Sequence, residues 1–302
     1  MIVDPRILRR ELGVIAGDPA TWEALEDDLE RFCAGVRERP EDESDEGAAT
    51  RAYVARLADA GLLRWVVPAA HGGAAETIRS TALCLIRQWL ARESGALDTA
   101  FVMQGLGSNP VTMAGPAALQ AALLPDVASG RRICAFALTE PEAGSDIQGM
   151  QTIATPAAGG GVVLRGRKCF ISNAGVADSY VVFAREEGDD AGGRPRFGAF
   201  WVPGDAPGLR VTPIKVIAPH PIGAVDLEGV EVPAEHRLGA PGEGLKIALG
   251  NLDVFRVSVG AAALGLADRA LTTMIEHLNA RRQFGKPLAA QQGLQFALAD
   301  VA

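Results

Sequence analysis

The chain has 302 residues, which is too long for one small domain and suits two or three packed domains. Hydrophobic residues make up 48% of it and charged residues 22%, which excludes collagen-like, disordered and disulfide-stapled miniprotein classes. With 29 basic and 37 acidic residues the net charge is -8, which argues against a broad surface for nucleic acid or anionic membranes.

The cysteines and histidines predict neither a disulfide framework nor a metal centre. The four cysteines include no C-x-x-C pair, and the four histidines are scattered without an H-E-x-x-H motif. The start of the chain lacks the apolar core of a secretion signal, and no apolar stretch approaches the ~18 residues that span a bilayer. We therefore predict a cytoplasmic protein, and the composition, rich in Arg, Ala and Gly, is typical of a bacterial genome of high GC content.

Residues 1–130 are predicted to form an N-terminal helical domain. Apolar residues recur every three or four positions over Trp22–Phe32, which indicates one face of a helix. Further helical patterns cover Thr77–Glu93 and Pro116–Ser129. The acidic run Glu41–Glu46 is expected to be a solvated connection.

Residues 131–240 are predicted to form a middle β domain, because short β-rich runs alternate there with turn signals and no helical period intervenes. Such spacing favours an antiparallel barrel or sandwich over a doubly wound parallel sheet. The predicted strands are Ile133–Leu138, Val162–Arg165, Lys168–Ser172, Tyr180–Ala184, Phe197–Val202, Leu209–Val216 and Val225–Val232, with a turn at Asp189–Gly193.

Residues 241–302 are predicted to be the first part of a C-terminal helical bundle, so the fold class is multi-domain α+β. One helix of some 35 residues contains the small-residue stretch Gly260–Gly265, which suits close helix packing. A second helix begins after Pro287 and is still apolar at Ala302, where no helix-stop signal is present. Either the chain is a fragment of a longer polypeptide, which the mid-helix end favours, or it is a natural short subunit completed by another chain.

The segment Cys134–Asp146, CAFALTEPEAGSD, is the most informative one for chemistry. A strand ends at Thr139, and a Glu-Pro turn leads into the tight loop that contains Gly144 and Ser145. Two hydroxyls, free backbone N–H groups and little side-chain bulk suit a planar polar ligand or a phosphate at a strand end. On its own, this pattern is also compatible with a simple turn.

Two more segments occur in order, RKCFISNAG (Arg167–Gly175) and RRQFGKPLAAQQ (Arg281–Gln292). Together with the order helix, sheet, helix, the three segments resemble the acyl-CoA dehydrogenase family over nearly the whole chain. The resemblance implies an FAD-dependent enzyme that introduces an α,β double bond into an acyl thioester. It also implies FAD at a subunit interface, and therefore a homodimer or homotetramer.

The resemblance assigns roles to individual residues. Thr139 would bond the edge of the isoalloxazine ring, and Ser172 would bond flavin N5. Phe170 and Ser172 replace the usual Trp and Thr and keep an aromatic surface and a hydroxyl. Arg281, Phe284 and Gln292 would touch the FAD of a neighbouring subunit. The implied cofactor-binding residues are Phe136, Ala137, Leu138, Thr139, Gly144, Ser145, Phe170, Ile171, Ser172, Arg281, Phe284 and Gln292.

The implied substrate-binding residues are Ser145, Asp253 and Arg256, the last two on the long helix. A guanidinium can hold a phosphate or a carboxylate by charge-assisted bonds. An alternative is open for Arg256, which could be only a structural partner of Asp253. Alternatives are also open for Thr139 as a turn former, for Phe170 as only a core aromatic and for Arg281 as a cation at a helix C-terminus. His220 is interpreted as a satisfied loop residue.

The catalytic base is the main departure from the family pattern. The reaction needs a carboxylate to remove the α-proton of the thioester. In the family this group lies either immediately before the Arg that matches Arg256, where this chain has Phe255, or in a segment that would follow Ala302. We therefore expect that the 302-residue chain alone has no general base and is inactive.

The resemblance also implies partners. The substrate would be a thioester of coenzyme A or of an acyl carrier protein, and the electron acceptor an electron-transferring flavoprotein or a similar carrier. Two alternatives stay open on this fold: an acyl-CoA oxidase or flavin monooxygenase, and a non-catalytic flavin-binding subunit of a heteromeric complex.

Overall fold

The computed structural model describes residues 19–189 and 195–301, so the start of the chain and the centre of the turn predicted at Asp189–Gly193 lie outside it. The described chain runs from a helical layer through a mixed sheet to further helices, which confirms the predicted order. The helices are α1 (Pro19–Glu38), α2 (Glu46–Asp59), α3 (Ser80–Glu93), α4 (Gly95–Ala114), α5 (Ala117–Ala128), α6 (Gly244–Ala280) and α7 (Gln292–Val301).

The N-terminal helices bury the faces that their periodicity predicts. On α1, Leu25 and Leu29 are buried, and Trp22 stacks on Trp65 with ring centroids 6.3 Å apart. The side chain of Ser94 caps α4 by accepting the backbone N–H groups of residues 96 and 97. Contacts of α1 with α3, and of α4 with both α2 and α3, join the first four helices into one layer.

Helix α4 was not predicted as a separate element, because it is buried on nearly all sides and so carries no polar face. It packs against the strand Cys134–Ala137, and Gly107 makes this approach possible. A Cβ at Gly107 would lie 2.7 Å from the Cβ of Cys134. The helical layer is thus fixed directly onto the strand that leads to the candidate site.

The strands of the main sheet are β1 (Cys134–Ala137), β2 (Ile153–Pro156), β3 (Val162–Ser172), β4 (Ser179–Asp189), β5 (Pro195–Pro203), β6 (Leu209–Pro213), β7 (Ile222–Val232) and β8 (Arg237–Leu238). They form one eight-stranded sheet in the order β6-β7-β3-β2-β4-β5-β8, with β1 paired to β4. Most pairs are antiparallel as predicted, but β1 and β2 each run parallel to β4. In a separate hairpin, β9 (Arg282–Gln283) pairs with β10 (Lys286–Pro287).

Two predicted strands, Val162–Arg165 and Lys168–Ser172, are one continuous strand β3 that crosses Gly166. The φ of Gly166 is 152°, and a Cβ there would overlap Thr152, so glycine is required where β3 passes this residue. Strand β3 pairs along most of its length with β7, with a register shift between Lys168 and Ile171. That irregularity lies at the candidate site.

The long helix α6 packs most extensively on α3. Gly265 lies against the carbonyl oxygen of Gln88 so closely that a Cβ would overlap it, as the small-residue stretch predicts. The sequence predicts no apolar stretch of this size, but among the described residues α6 is long and apolar enough to cross a membrane by length and composition, and 33% of its 18-residue apolar window is buried. Core helices pass the same test, and Asp253 and Arg256 interrupt its apolar pattern.

Candidate functional site

The candidate site begins where β1 ends beside the last residues of β3. The N–H of Cys169 donates to the carbonyl oxygen of Thr139 over 2.9 Å, so Thr139 and Phe170 lie on neighbouring stretches of backbone. The register shift in β3 gives Phe170 a left-handed φ of 55° and leaves it 62% exposed. Bulges of this kind aim a side chain away from the sheet.

We call Thr139, Ser145, Phe170 and Ser172 the strand-end cluster. Ser145 is exposed, and a Cβ on the adjacent Gly144 would meet no atom within 4 Å. Within residues 19–189 and 195–301, no protein partner is found for the hydroxyls of Thr139 and Ser145. An exposed aromatic ring at Phe170 lies beside the backbone of Thr139, and the chain runs from Thr139 into the open loop of Gly144 and Ser145. An aromatic surface, hydroxyls and an open loop suit the flat, polar ring system and the pyrophosphate of FAD.

A buried ion pair supports this cluster from behind. Lys168 Nζ lies 2.7 Å from the carboxylate of Glu140 and 3.1 Å from the carbonyl oxygen of Leu138, and its side chain is fully buried. Glu140 also accepts the backbone N–H groups of Gln151 and Thr152. Thr139 therefore sits between two residues that the same lysine holds.

The ionisation of this pair follows from its surroundings. Burial raises the pKa of Glu140, but the charge and hydrogen bond of Lys168 and the donors at Thr152 and Gln151 bring it below its usual value. Burial lowers the pKa of Lys168 to about 8, against the opposing effect of Glu140. Both groups are therefore charged at neutral pH.

Ser172 is half-buried, and its hydroxyl contacts a histidine. Its Oγ lies 3.4 Å from Nε2 of His220. His220 lies on the connection between β6 and β7, and Nδ1 of its ring lies 3.3 Å from the carbonyl oxygen of Ala218. The sequence predicted that His220 is a loop residue whose hydrogen bonds are satisfied within the protein. Its contact with Ser172 places it beside one of the predicted site residues.

An interhelical cavity of about 930 Å³ lies between α3, the start of α4, α6 and the connection that carries His220. Its α6 wall is formed mainly by small and apolar residues, including Val259, Ala262 and Leu266. The acidic run Glu41–Glu46, predicted to be a solvated connection, contributes Glu41 and Glu43 to its rim. This part of the prediction was incomplete, because the two side chains are bound to protein partners.

Every carboxylate that lines the cavity has a protein partner. Glu93 pairs with Arg37, and Glu41 lies 2.9 Å from Arg56. Glu43 accepts the hydroxyls of Tyr53 and Ser94. Asp98 accepts two hydrogen bonds of 2.8 and 2.6 Å from Arg87. The described lining therefore offers no unpaired carboxylate as a base.

The pair of Arg87 and Asp98 joins three helices. Both side chains are buried, and Arg87 also donates to Oγ of Ser258 over 2.9 Å, so α3, α4 and α6 meet at one guanidinium. Burial raises the pKa of Asp98 by more than the hydrogen bonds and charge of Arg87 lower it. This pair is a buried ionic contact within a helix interface that is otherwise mainly apolar.

Phe255 is 3% exposed and packs towards α4. A Cβ on Gly105 would lie 2.7 Å from the Phe255 ring, so the ring fills the space that this glycine leaves. The neighbouring Asp253 and Arg256 are exposed, and their charged groups lie 3.1 Å apart. The helix thus turns Phe255 into the core and the two charged residues outwards.

The remaining predicted site residues fall into two groups. The side chains of Phe136, Ala137, Leu138 and Ile171 are buried, so that a ligand at the strand end would reach their backbone groups. Arg281, Phe284 and Gln292 lie on the exposed segment after α6, and Phe284 is 96% exposed with a φ of 51°. The described chain does not bury this second group, which the resemblance assigns to contacts with a neighbouring subunit.

The sequence did not identify Lys168, Glu140 or Arg87 as important. A lysine in a strand of buried and aromatic residues, RKCF, is the signal that could have indicated an inward-facing charge. The cysteines are all free thiols, and within the described ranges no group of three metal-ligating side chains is found.

Three family models match the chain in order. The N-terminal domain of acyl-CoA dehydrogenases matches residues 20–131, the middle domain 135–230 and the C-terminal domain 242–302. An acyl-CoA dehydrogenase of Bacillus subtilis is 36% identical over 253 residues, which are 82% of this chain and 65% of that protein. The chain spans less than two thirds of the curated relatives it matches, 55–65% for five of them.

Solved structures are similar over most of the chain. Butyryl-CoA dehydrogenase from Megasphaera elsdenii is 30% identical with a TM-score of 0.82, and the match covers 92% of this chain and 74% of that one. An acyl-CoA dehydrogenase from Bacillus anthracis, solved in complex with FAD, is 29% identical with a TM-score of 0.83 and covers 92% of this chain and 49% of that one.

Proposed function

The chain belongs to the acyl-CoA dehydrogenase family, and from this we propose that it binds FAD on the strand-end cluster and acts in the α,β-dehydrogenation of an acyl thioester. The cluster is the observation that carries the proposal. It combines an outward-facing aromatic ring at Phe170, the hydroxyls of Thr139 and Ser145, for which the described residues offer no partner, and an open loop at Gly144. The buried Lys168–Glu140 pair supports this arrangement from the interior of the sheet. A flat polar cofactor gains both ring contact and hydrogen bonds there.

When bound, FAD supplies the acceptor for the hydride that leaves the β-carbon of the substrate. Thr139 and Ser172 would hold the ring edge, Ser145 the pyrophosphate, and Phe170 would cover one ring face. The interhelical cavity, with its apolar α6 wall and His220 at one edge, would receive the acyl group. Arg256, exposed next to Asp253, would bind the phosphates of coenzyme A by charge-assisted bonds.

Removal of the α-proton requires a carboxylate, and the described lining of the cavity offers no unpaired one. Phe255 occupies the position of one family base and is packed in the core. Each carboxylate that lines the cavity is already bonded to a partner. We therefore propose that this chain by itself binds FAD but does not dehydrogenate. A non-catalytic flavin-binding subunit is the second candidate function, favoured by the same burial of Phe255.

The experiment has two arms. In the first, gel filtration of the chain with FAD should give about one FAD per chain, and Thr139→Val or Ser145→Ala should each weaken binding about two- to tenfold, since a hydroxyl bond contributes ~0.5–1.5 kcal/mol. Ser129→Ala is the matched control, because Ser129 bonds only carbonyl groups at the end of α5. Absence of FAD binding would contradict the proposal.

In the second arm, the FAD-loaded chain is mixed without oxygen with short-chain, cyclic and dicarboxylic acyl-CoA thioesters. We expect the flavin absorption to shift on binding and to stay in the oxidised form. Bleaching of the visible flavin band would show that a base is present and would contradict the proposed inactivity, while supporting the dehydrogenase chemistry.

The same proposal includes three further properties of the protein. They are an electron-carrier flavoprotein as the electron acceptor, assembly into a homodimer or homotetramer, and a cytoplasmic location.

A further inference from the structure

His220 is held next to Ser172 by the backbone of the sheet. The N–H of Asn173 donates to the carbonyl oxygen of Pro221 over 2.7 Å, so the residues that follow Ser172 and His220 are joined by a backbone hydrogen bond. Asn173 is fully buried and donates its side-chain amide to the carbonyl oxygen of Cys134 over 2.9 Å. The contact between Ser172 and His220 therefore joins two anchored segments.

The two contacts of the imidazole ring favour one of its two neutral forms. The carbonyl oxygen of Ala218, 3.3 Å from Nδ1, can only accept a hydrogen bond, so Nδ1 is the donor. In the neutral ring, Nε2 is then an acceptor, and it lies 3.4 Å from Oγ of Ser172. The hydroxyl proton of Ser172 therefore points to His220, and the lone pairs of Oγ point elsewhere.

We propose that His220 is a positioning residue that takes the hydroxyl proton of Ser172 and so makes Ser172 a hydrogen-bond acceptor towards the cofactor. The inference rests on the proposed function, in which Ser172 bonds flavin N5. Oxidised flavin has only a lone pair at N5, whereas reduced flavin carries an N–H there. An acceptor at Ser172 matches the reduced form, so His220 favours reduced over oxidised FAD.

The first test asks where the proton is, and it does not depend on FAD. Nitrogen NMR of the ¹⁵N-histidine-labelled chain, at about two pH units above the usual imidazole pKa of ~6.5, distinguishes the two neutral forms. The His220→Gln variant assigns the His220 signals among the four histidines. We expect the proton on Nδ1, and a changed Nε2 signal in Ser172→Ala. A proton on Nε2 would overturn the inference.

The second test measures the midpoint potential of the bound flavin. A change in this potential gives the change in the ratio of the affinities for reduced and oxidised FAD. His220→Phe keeps a ring but has no acceptor, and it should lower the ratio about three- to tenfold, which is roughly 15–30 mV for a two-electron couple. His220→Gln, whose amide oxygen can take the same proton, should restore most of the wild-type ratio. His220→Phe in a Ser172→Ala background should have no further effect.

The outcomes separate the inference from the proposed function. If the wild-type chain binds no FAD, the proposed function and the inference both fail. If FAD binds and His220→Phe leaves the potential unchanged, or shifts it equally without the Ser172 hydroxyl, only the inference fails. A purely structural role of His220 would lower the affinity for both forms of FAD equally, and this result would also overturn the inference.

Discussion

The sheet and the long helix α6 hold their parts of the candidate site in different ways. Behind the strand-end cluster, Lys168 and Glu140 are buried and 2.7 Å apart. On α6, Asp253 and Arg256 are 70% and 59% exposed and pair with each other. The sheet therefore presents a site whose shape is fixed by its own interior, whereas the helix presents charges that depend on solvent and on what binds them.

A second comparison lies within the core, between two buried ion pairs of similar exposure. Lys168–Glu140 supports the strand-end cluster, and Arg87–Asp98 joins α3, α4 and α6. If support of the site is a local property of the sheet, breaking the first pair should affect FAD binding and breaking the second should not. Stability alone cannot separate the two, because both changes leave an unpaired buried carboxylate.

Lys168→Met should have the largest effect. It leaves the Glu140 carboxylate buried without its cation, which typically costs about 3–5 kcal/mol of unfolding free energy. It also releases Leu138 and Glu140 on both sides of Thr139, so FAD affinity should fall by at least tenfold. Urea unfolding and FAD titration measure the two effects. The double variant E140Q/K168M, without the stranded charge, should recover part of the stability, and a loss below about 1 kcal/mol in Lys168→Met would contradict this account.

Arg87→Met should destabilise the chain by about 3 kcal/mol, since Asp98 loses both of its bonds to the guanidinium. FAD affinity, measured under conditions where the variant is folded, should stay within about twofold of the wild type, which is roughly 0.4 kcal/mol. An equal loss of FAD affinity in Arg87→Met and Lys168→Met would break the comparison, because support of the site would then be a property of the whole molecule.

Gly105→Ala should cost about 1–3 kcal/mol, because the new methyl would lie 2.7 Å from the ring of Phe255 and 3.0 Å from Val66. Gly95→Ala on the same helix is the matched control, because no atom lies within 4 Å of its Cβ position. Thermal unfolding compares the two variants. Equal melting temperatures would mean that Phe255 does not fill the space at Gly105, and position 255 would then be open towards the cavity.

The smallest effect concerns acid stability, where the two buried carboxylates should act in opposite directions. The pKa of Glu140 is lowered from its ordinary value of 4.5, so its contribution is complete above that value and is lost as the pH falls. The pKa of Asp98 is raised, so protonation at low pH favours the folded state. Between about pH 6 and about pH 3, Glu140→Gln should lose less stability than the wild type and Asp98→Asn should lose more. Urea midpoints across this range test the signs, and a shift in the same direction for both would refute them.

The sequence predicted the order of the elements because amphipathic periods and β-rich runs report local burial. It did not separate α4, since a helix buried on all sides has no such period. The sequence indicated the hydroxyls of Thr139 and Ser145 because a strand, a turn and a glycine loop are adjacent in the chain, whereas Ser172 was indicated only by the resemblance to a family. The pairs that support them were missed, since Lys168 meets Glu140 and His220 meets Ser172 only after the sheet has formed.

The left-handed backbone of Phe170 has a kinetic consequence. An aromatic side chain that a bulge already holds outwards needs no rearrangement before a ring can stack on it. Capture of the cofactor should then be a single bimolecular step whose rate rises linearly with ligand concentration and does not level off, as association limited by encounter does. The left-handed φ of this one residue should then influence the rate of cofactor binding as well as its geometry.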